Sequence, residues 1–173
     1  MIHRIHGGLI VDDYGMVTCR FERVLPYPAA RVWRHLIDRR RLHEWLTSEP
    51  GGFIRRRAGS AVHLPTIGGA VIVGEVIDVE AERYLAISWE TADWLGGIVE
   101  WDLTPQAEGS TLAFEHSDER MGSSQATRTL ANWHMALDMF EESLAGRPRT
   151  WNWDAWQEYF LHYVRTVPHA EVQ

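Results

Sequence analysis

Cysteine is almost missing from this chain. Cys19 is the single cysteine in 173 residues, so an intrachain disulfide and a cysteine-rich zinc site are both excluded. No stretch reaches the roughly 18 apolar residues of a membrane-spanning helix, and the N-terminus holds no long apolar run. HExxH and GxSxG are absent, which removes the sequence signs of a zinc peptidase and of an α/β-hydrolase nucleophile. Positive charge is not in excess either. The formal net charge is −7, which argues against a general nucleic-acid binder. Internal repeats, low-complexity tracts and interdomain linkers are lacking. These absences leave a cytoplasmic protein, with no cofactor, no metal and no membrane or nucleic-acid partner, as the expectation.

Tryptophan, by contrast, is abundant, at nine residues. Large rings fill cores, and they also line cavities for apolar or aromatic ligands. The length suits one domain with a sizeable core.

The segment Ser123 to Gly146 organises the rest. Leu130, Trp133, His134, Leu137, Phe140, Glu141 and Leu144 recur at helical spacing, which predicts a helix with one largely apolar face. Ser123 or Ser124 can cap its start, and Gly146 before Arg147-Pro148 stops it. His134 is the polar exception on that face. Upstream, residues 1–16 read as a short extended arm with a turn at Asp12–Gly15. Val17 to Leu25 alternates as a half-buried strand, with Cys19 beside Phe21 as an inert core thiol. Pro28 opens a first short helix carrying Val32, Trp33, Leu36 and Ile37, and a second covers Arg39 to Leu46.

Sheet signals follow. Phe53–Arg57 and Ser60–Leu64 are weak strands, and Ala70–Val79 is a longer one, bent at Gly74. Tyr84–Glu90, Ile98–Thr104 and Ser110–His116 alternate strongly. Their short connections make them antiparallel neighbours. Leu85, Ile87, Trp89, Val99, Trp101, Leu103, Leu112, Phe114, Leu130, Leu137 and Leu144 are expected to form one core. A last amphipathic helix runs from Trp151 to Val164, and the tail from Pro168 is loose. The organisation is thus an arm at 1–16, a domain at 17–146, and an appended helix and tail at 147–173. A curved antiparallel sheet around one long helix leaves a cleft where the sheet lifts away.

The segment FERVLPYPAARVWRHLIDRRRLHEWL resembles the opening of the START-like (SRPBCC), helix-grip superfamily. GEVIDVEAERYLAISWE and GGIVEWDLTPQAEGSTLAFEHSDE are similar to the middle strands of the branch related to the C-terminal domain of the Hsp90 ATPase activator Aha. NWHMALDMFEESLAG and WNWDAWQEYF resemble its closing helix and tail. The resemblance implies an α+β helix-grip fold: a curved antiparallel sheet of six or seven strands, a long C-terminal helix, and two short helices after the first strand. It also implies a hydrophobic cavity between sheet and helix. Members bind small molecules, assist polyketide or lipid chemistry, or act on chaperones, without a universal catalytic set.

The candidate ligand-binding residues are Trp45, Trp89, Trp101, Phe114, His116, Trp133 and His134. Two imidazoles facing one cleft would bind a polar group or shuttle a proton near neutral pH; the competing reading is two structural histidines, each paired with a neighbour. Replacing His134 is expected to weaken binding more than folding. His134 and Asp138, four apart on a helix, lack the further ligands a metal needs. Trp151, Trp153 and Trp156 are read as packing or subunit-contact residues outside the pocket. The apolar surface of their helix suggests a homodimer. Glu75 is read as solvent-facing. Arg39–Arg41 and Arg55–Arg57 are read as solvated faces paired with Asp and Glu. Binding of a small hydrophobic or aromatic molecule is the expected function. The alternatives are a cyclase, dehydratase or hydrolase using the cleft histidines, and a chaperone-interacting protein. The chain before Val17 is too short for the activator's separate N-terminal domain, which weakens the chaperone alternative.

Overall fold

The computed structural model describes residues 7–67, 69–91 and 96–167. Seven strands form one antiparallel sheet in the order β1-β2-β7-β6-β5-β4-β3. They are β1 (Gly8–Val11), β2 (Val17–Leu25), β3 (Ala61–Pro65), β4 (Val71–Glu80), β5 (Tyr84–Ser88), β6 (Ile98–Gln106) and β7 (Gly109–Asp118). Helices α1 (Ala29–Ile37) and α2 (Arg39–Leu42) follow β2. The long helix α3 (Ser123–Leu144) and the final helix α4 (Trp153–Thr166) close the chain. This is the α+β helix-grip fold. The extended arm before Val17 supplies β1, which pairs with β2. Residues 1–6 and the tail from Pro168 lie outside the described residues.

Alternation decides which side chains face α3. In β2, Cys19, Phe21, Arg23 and Leu25 are buried while Arg20, Glu22 and Val24 are exposed. In β6 and β7 the register sets Trp101 opposite Phe114 and Val99 opposite His116. All eleven residues expected in the core are buried there.

Several local expectations change. The second helix ends at Leu42. Asp38 caps its start, with Oδ1 accepting the N–H groups of Arg40 and Arg41 at 3.0 and 3.3 Å. Phe53–Arg57 forms no strand. The α3 cap is Gly122, whose N–H donates to Gln125 Oε1 at 3.1 Å, so Ser123 and Ser124 lie inside the first turn. In β4 the bulge falls between Val76 and Asp78. Ahead of it, Ile72 and Val76 point inward, and Val71, Val73 and Ile77 are exposed on the same parity as Glu75. Glu75 therefore faces solvent on its strand's natural parity, without needing a bulge at Gly74. Gly74 has a different role. A Cβ there would sit 1.9 Å from the Ser88 carbonyl oxygen, so only glycine permits this strand approach.

Candidate functional site

A cleft of about 570 Å³ opens between the sheet and α3. Its walls come from the segment after α2 (Trp45, Leu46), the β3–β4 turn and the start of β4, the end of β5, His116 on β7, one flank of α3, and the start of α4. The turn supplies Ile67 and Ala70, and the β5 end supplies Trp89 and Thr91. Arg128, Thr129, Asn132, Trp133 and Ala136 come from α3. Residues 129, 132, 133 and 136 share a helix face because they are three or four apart.

Of the seven candidate residues, Trp45, Trp89, His116 and Trp133 line this cleft. Trp133 is the centre of an aromatic cluster. Its ring centroid lies 4.3 Å from Phe114, 5.2 Å from Trp89 and 6.2 Å from Trp101. Trp45 is fixed by a 2.9 Å hydrogen bond from its Nε1 to the His35 carbonyl. Trp101 and Phe114 sit behind Trp133 as core, each 1% exposed. Inward strand parity alone could not separate the layer that touches the cleft from the layer beneath it.

His116 has both ring nitrogens engaged. Trp133 Nε1–H donates to Nδ1 at 3.0 Å, and Nε2 lies 2.9 Å from the Gly96 carbonyl. Indole is only a donor, so Nδ1 must accept and Nε2 must carry the proton. Burial holds the imidazole pKa below the ordinary histidine value, against weaker upward pulls from Gly96 and Asp118. His116 is thus a neutral anchor that orients Trp133, and any proton transfer through it would break one of these bonds.

His134 does not reach the cleft, contrary to its expected place there. It is fully buried beneath α4, stacked on Tyr159 at 3.8 Å, with Nδ1 2.9 Å from the Tyr163 hydroxyl. That hydroxyl also accepts the Gly7 N–H at 2.8 Å. Nε2 lies 3.8 Å from Asp138 Oδ1, and Asp138 also accepts from the Tyr159 hydroxyl. Arg23, reaching in from β2, completes the cluster. Its Nε lies 2.7 Å from Glu141 and its NH2 3.7 Å from Asp138. The two histidines therefore belong to different environments and cannot act as an acid–base pair in one cleft. Among the described residues, no group of three or more His, Cys, Asp or Glu side chains is placed to hold a metal ion.

Trp151, Trp153 and Trp156 were expected outside the pocket, and they form one of its walls. Their rings contact in series at 5.6 and 5.8 Å, and Trp156 stacks on Phe160 at 5.2 Å. Trp156 Nε1 donates to Asn132 Oδ1 at 2.8 Å, which pins the start of α4 to α3. Nothing in the sequence fixes where an appended helix docks. Thr129 was also missed, although its position four residues before Trp133 puts it on the same face. Three polar atoms of the lining, Thr91 Oγ1, Thr129 Oγ1 and Trp151 Nε1, are buried with no hydrogen-bond partner among the described residues.

A helix-grip sheet, a long closing helix and an aromatic cleft between them define a START-like protein, a fold generally used for ligand binding. Residues 26–145 match the family model described as activator of Hsp90 ATPase homolog 1-like protein, and the chain belongs to that family. Solved structures share the fold. CalU16 from Micromonospora echinospora is 22% identical over 93% of this chain and 95% of its own, with a TM-score of 0.64. A conserved protein of unknown function from Enterococcus faecalis, EF2215, is 18% identical over 92% and 88%, with a TM-score of 0.71. DynU16, a putative protein in the dynemicin biosynthetic locus, is 26% identical over 76% of this chain and 48% of its own, with a TM-score of 0.64. Comparison with curated proteins finds no match. No helix among the described residues is long and apolar enough to cross a membrane.

Proposed function

We propose that this protein binds a small, largely aromatic molecule in the cleft between sheet and α3. The observation that carries this reading is the trio of buried polar atoms with no hydrogen-bond partner among the described residues, in a wall otherwise rich in indole rings. A buried polar atom without a partner costs about 1–3 kcal/mol. A flat ligand bearing a hydroxyl or carbonyl would relieve that cost while its rings replace water against Trp89, Trp133 and Trp153. The cleft volume lies within the range of about 300–1,000 Å³ usual for small-molecule sites. Binding without catalysis is favoured over a cyclase, dehydratase or hydrolase, because His116 is neutral and doubly engaged and His134 lies elsewhere. The 26% identity to DynU16, a putative protein in the dynemicin biosynthetic locus, is compatible with such a ligand.

The test is quenching of tryptophan fluorescence by naphthol-like and anthraquinone-like compounds, with fatty acids as a comparison. Saturable quenching by the flat compounds supports the reading; none with any of them ends it. The family match favours a second reading, action on an Hsp90-type chaperone, which stimulation of a purified chaperone's ATPase would test. A homodimer would rest on Trp153 and Leu161, exposed at 65% and 43%, since Tyr159 and Tyr163 are buried within the chain. Light scattering at micromolar concentration decides it.

A further inference from the structure

We propose a second binding site, in the hollow between α1, α2 and the 53–57 segment, for an organic anion: an apolar body carrying a phosphate or carboxylate. The hollow measures about 590 Å³ and shares no lining residue with the tryptophan cleft. Trp33, Ile37, Phe53 and Ile54 make its apolar floor, and the guanidinium groups of Arg34, Arg39 and Arg56 stand around it.

Arginines without an ion pair are concentrated around this hollow. Arg20, Arg23, Arg41, Arg83, Arg120, Arg147 and Arg149 each meet a carboxylate. Arg34, Arg39, Arg40, Arg55, Arg56 and Arg57 are all exposed, and none has an ion pair among the described residues. Of these six, Arg34, Arg39 and Arg56 line the hollow, whereas Arg31 and Arg165, also without an ion pair among the described residues, do not. Among the described residues, the expectation that both arginine runs pair with Asp and Glu therefore holds only for Arg41. Two carboxylates do line the hollow, Asp38 and Glu82. Asp38 is occupied in capping α2, through Oδ1.

Two further features point to a ligand with an apolar body. The guanidinium carbons of Arg39 and Arg55 lie 5.3 and 5.4 Å from the Phe53 ring centroid, so cation–π contact holds that ring as a half-exposed platform. Trp33 is 2% exposed, and its Nε1 is buried with no hydrogen-bond partner among the described residues. Trp33 is a lining residue of this hollow, and its indole N–H has no acceptor among the described residues. An extended polyanion fits less well, because beyond this face it would meet the acidic remainder of the chain. Guanidinium forks suit phosphate and carboxylate oxygens in particular.

Isothermal titration of the whole protein with 1-naphthyl phosphate tests this, with neutral 1-naphthalenemethanol as the control. The variants are R39Q/R56Q, at exposed positions and checked for an unchanged thermal melt, and Trp153→Ala in the other cleft. The expected result is binding of the phosphate that R39Q/R56Q weakens at least tenfold, that added salt weakens, and that Trp153→Ala leaves unchanged. Equal affinity in wild type and R39Q/R56Q overturns the proposal. So does an affinity that falls with Trp153→Ala alone, which would place the anion in the tryptophan cleft. A Glu-rich peptide that binds in an Arg39- and Arg56-dependent way where the naphthyl phosphate does not would also overturn it, in favour of a protein-docking surface.

Discussion

Trp133 and His116 are joined by a buried hydrogen bond, indole Nε1–H to imidazole Nδ1 at 3.0 Å, that ties α3 to β7 at the back of the cleft. The bond fixes the histidine tautomer, and it also fixes the angle at which the Trp133 ring faces the cleft. Catalytic-looking residues in this fold can therefore serve as scaffolding. The imidazole sits where an acid or base would be useful, but its lone pair is already spent on holding an aromatic wall in place.

Replacing His116 with Phe should leave the Trp133 N–H buried and unpaired. The expected loss is about 1–3 kcal/mol of stability for that orphaned donor. Urea denaturation followed by near-UV circular dichroism would measure it. An unchanged midpoint would mean that Trp133 finds another acceptor and that the pairing is dispensable.

Stability should also fall as the solution turns mildly acidic. Burial holds His116 and His35 below the ordinary histidine range. The unfolded chain takes up these protons near about pH 6.5, while the folded chain resists until lower pH. In that window the unfolded state binds more protons, so stability is full above the unfolded value and is lost as pH falls through the folded values. Glu141 works in the opposite sense: burial raises its pKa despite Arg23, so the folded state takes that proton first. Urea midpoints across mildly acidic to neutral pH should show the decline, and His116→Phe should flatten part of it. A wild-type midpoint that does not decline on acidification would contradict the assignment of a neutral, buried pair of histidines.

What could be read from the sequence follows from periodicity. The strand alternations of β2, β6 and β7 and the helical period of α3 each specify a face, and those faces are the core that forms. Periodicity says nothing about depth along a face, so Trp101 and Phe114 could not be told from Trp89 and Trp133. In β4 parity alone does not choose a face, because Val and Ile occupy both faces and only pairing with β5 and β3 decides between them. His134 was misplaced because its environment is built by α4, twenty-five residues downstream at Tyr159. The tryptophans at the start of α4 were missed as cleft residues for the same reason: docking of an appended helix is a tertiary event with no local signature.

His134→Ala should harm folding and spare the cleft. The substitution removes the ring stacked on Tyr159 and leaves the Tyr163 hydroxyl without its nitrogen partner. Opening a cavity at a fully buried large side chain costs about 2–5 kcal/mol, and the Asp138–Arg23 cluster loses a neighbour as well. Ligand affinity at a temperature where the variant is still folded should match wild type. A large affinity loss with little change in the melt would reverse this and return His134 to the binding site.

Thr129→Val gives the sharpest test, because its two effects have opposite signs. Thr129 is 3% exposed, lines the cleft, and its hydroxyl has no partner among the described residues. Valine keeps the branched shape and removes the polar atom. If the hydroxyl is unsatisfied in the empty protein, the substitution should stabilise the fold by about 1 kcal/mol, the lower end of the cost of an orphaned buried group. If that hydroxyl is held ready for a ligand, the same substitution should weaken binding of a hydroxyl- or carbonyl-bearing aromatic several-fold. It should leave an unsubstituted aromatic of the same size unaffected. Thermal melts and fluorescence titrations on one preparation read both effects. A variant that is less stable than wild type would show that the hydroxyl has a partner in the folded protein. A variant that is more stable but binds both aromatics as before would show that the unpaired hydroxyl is not part of the recognition surface.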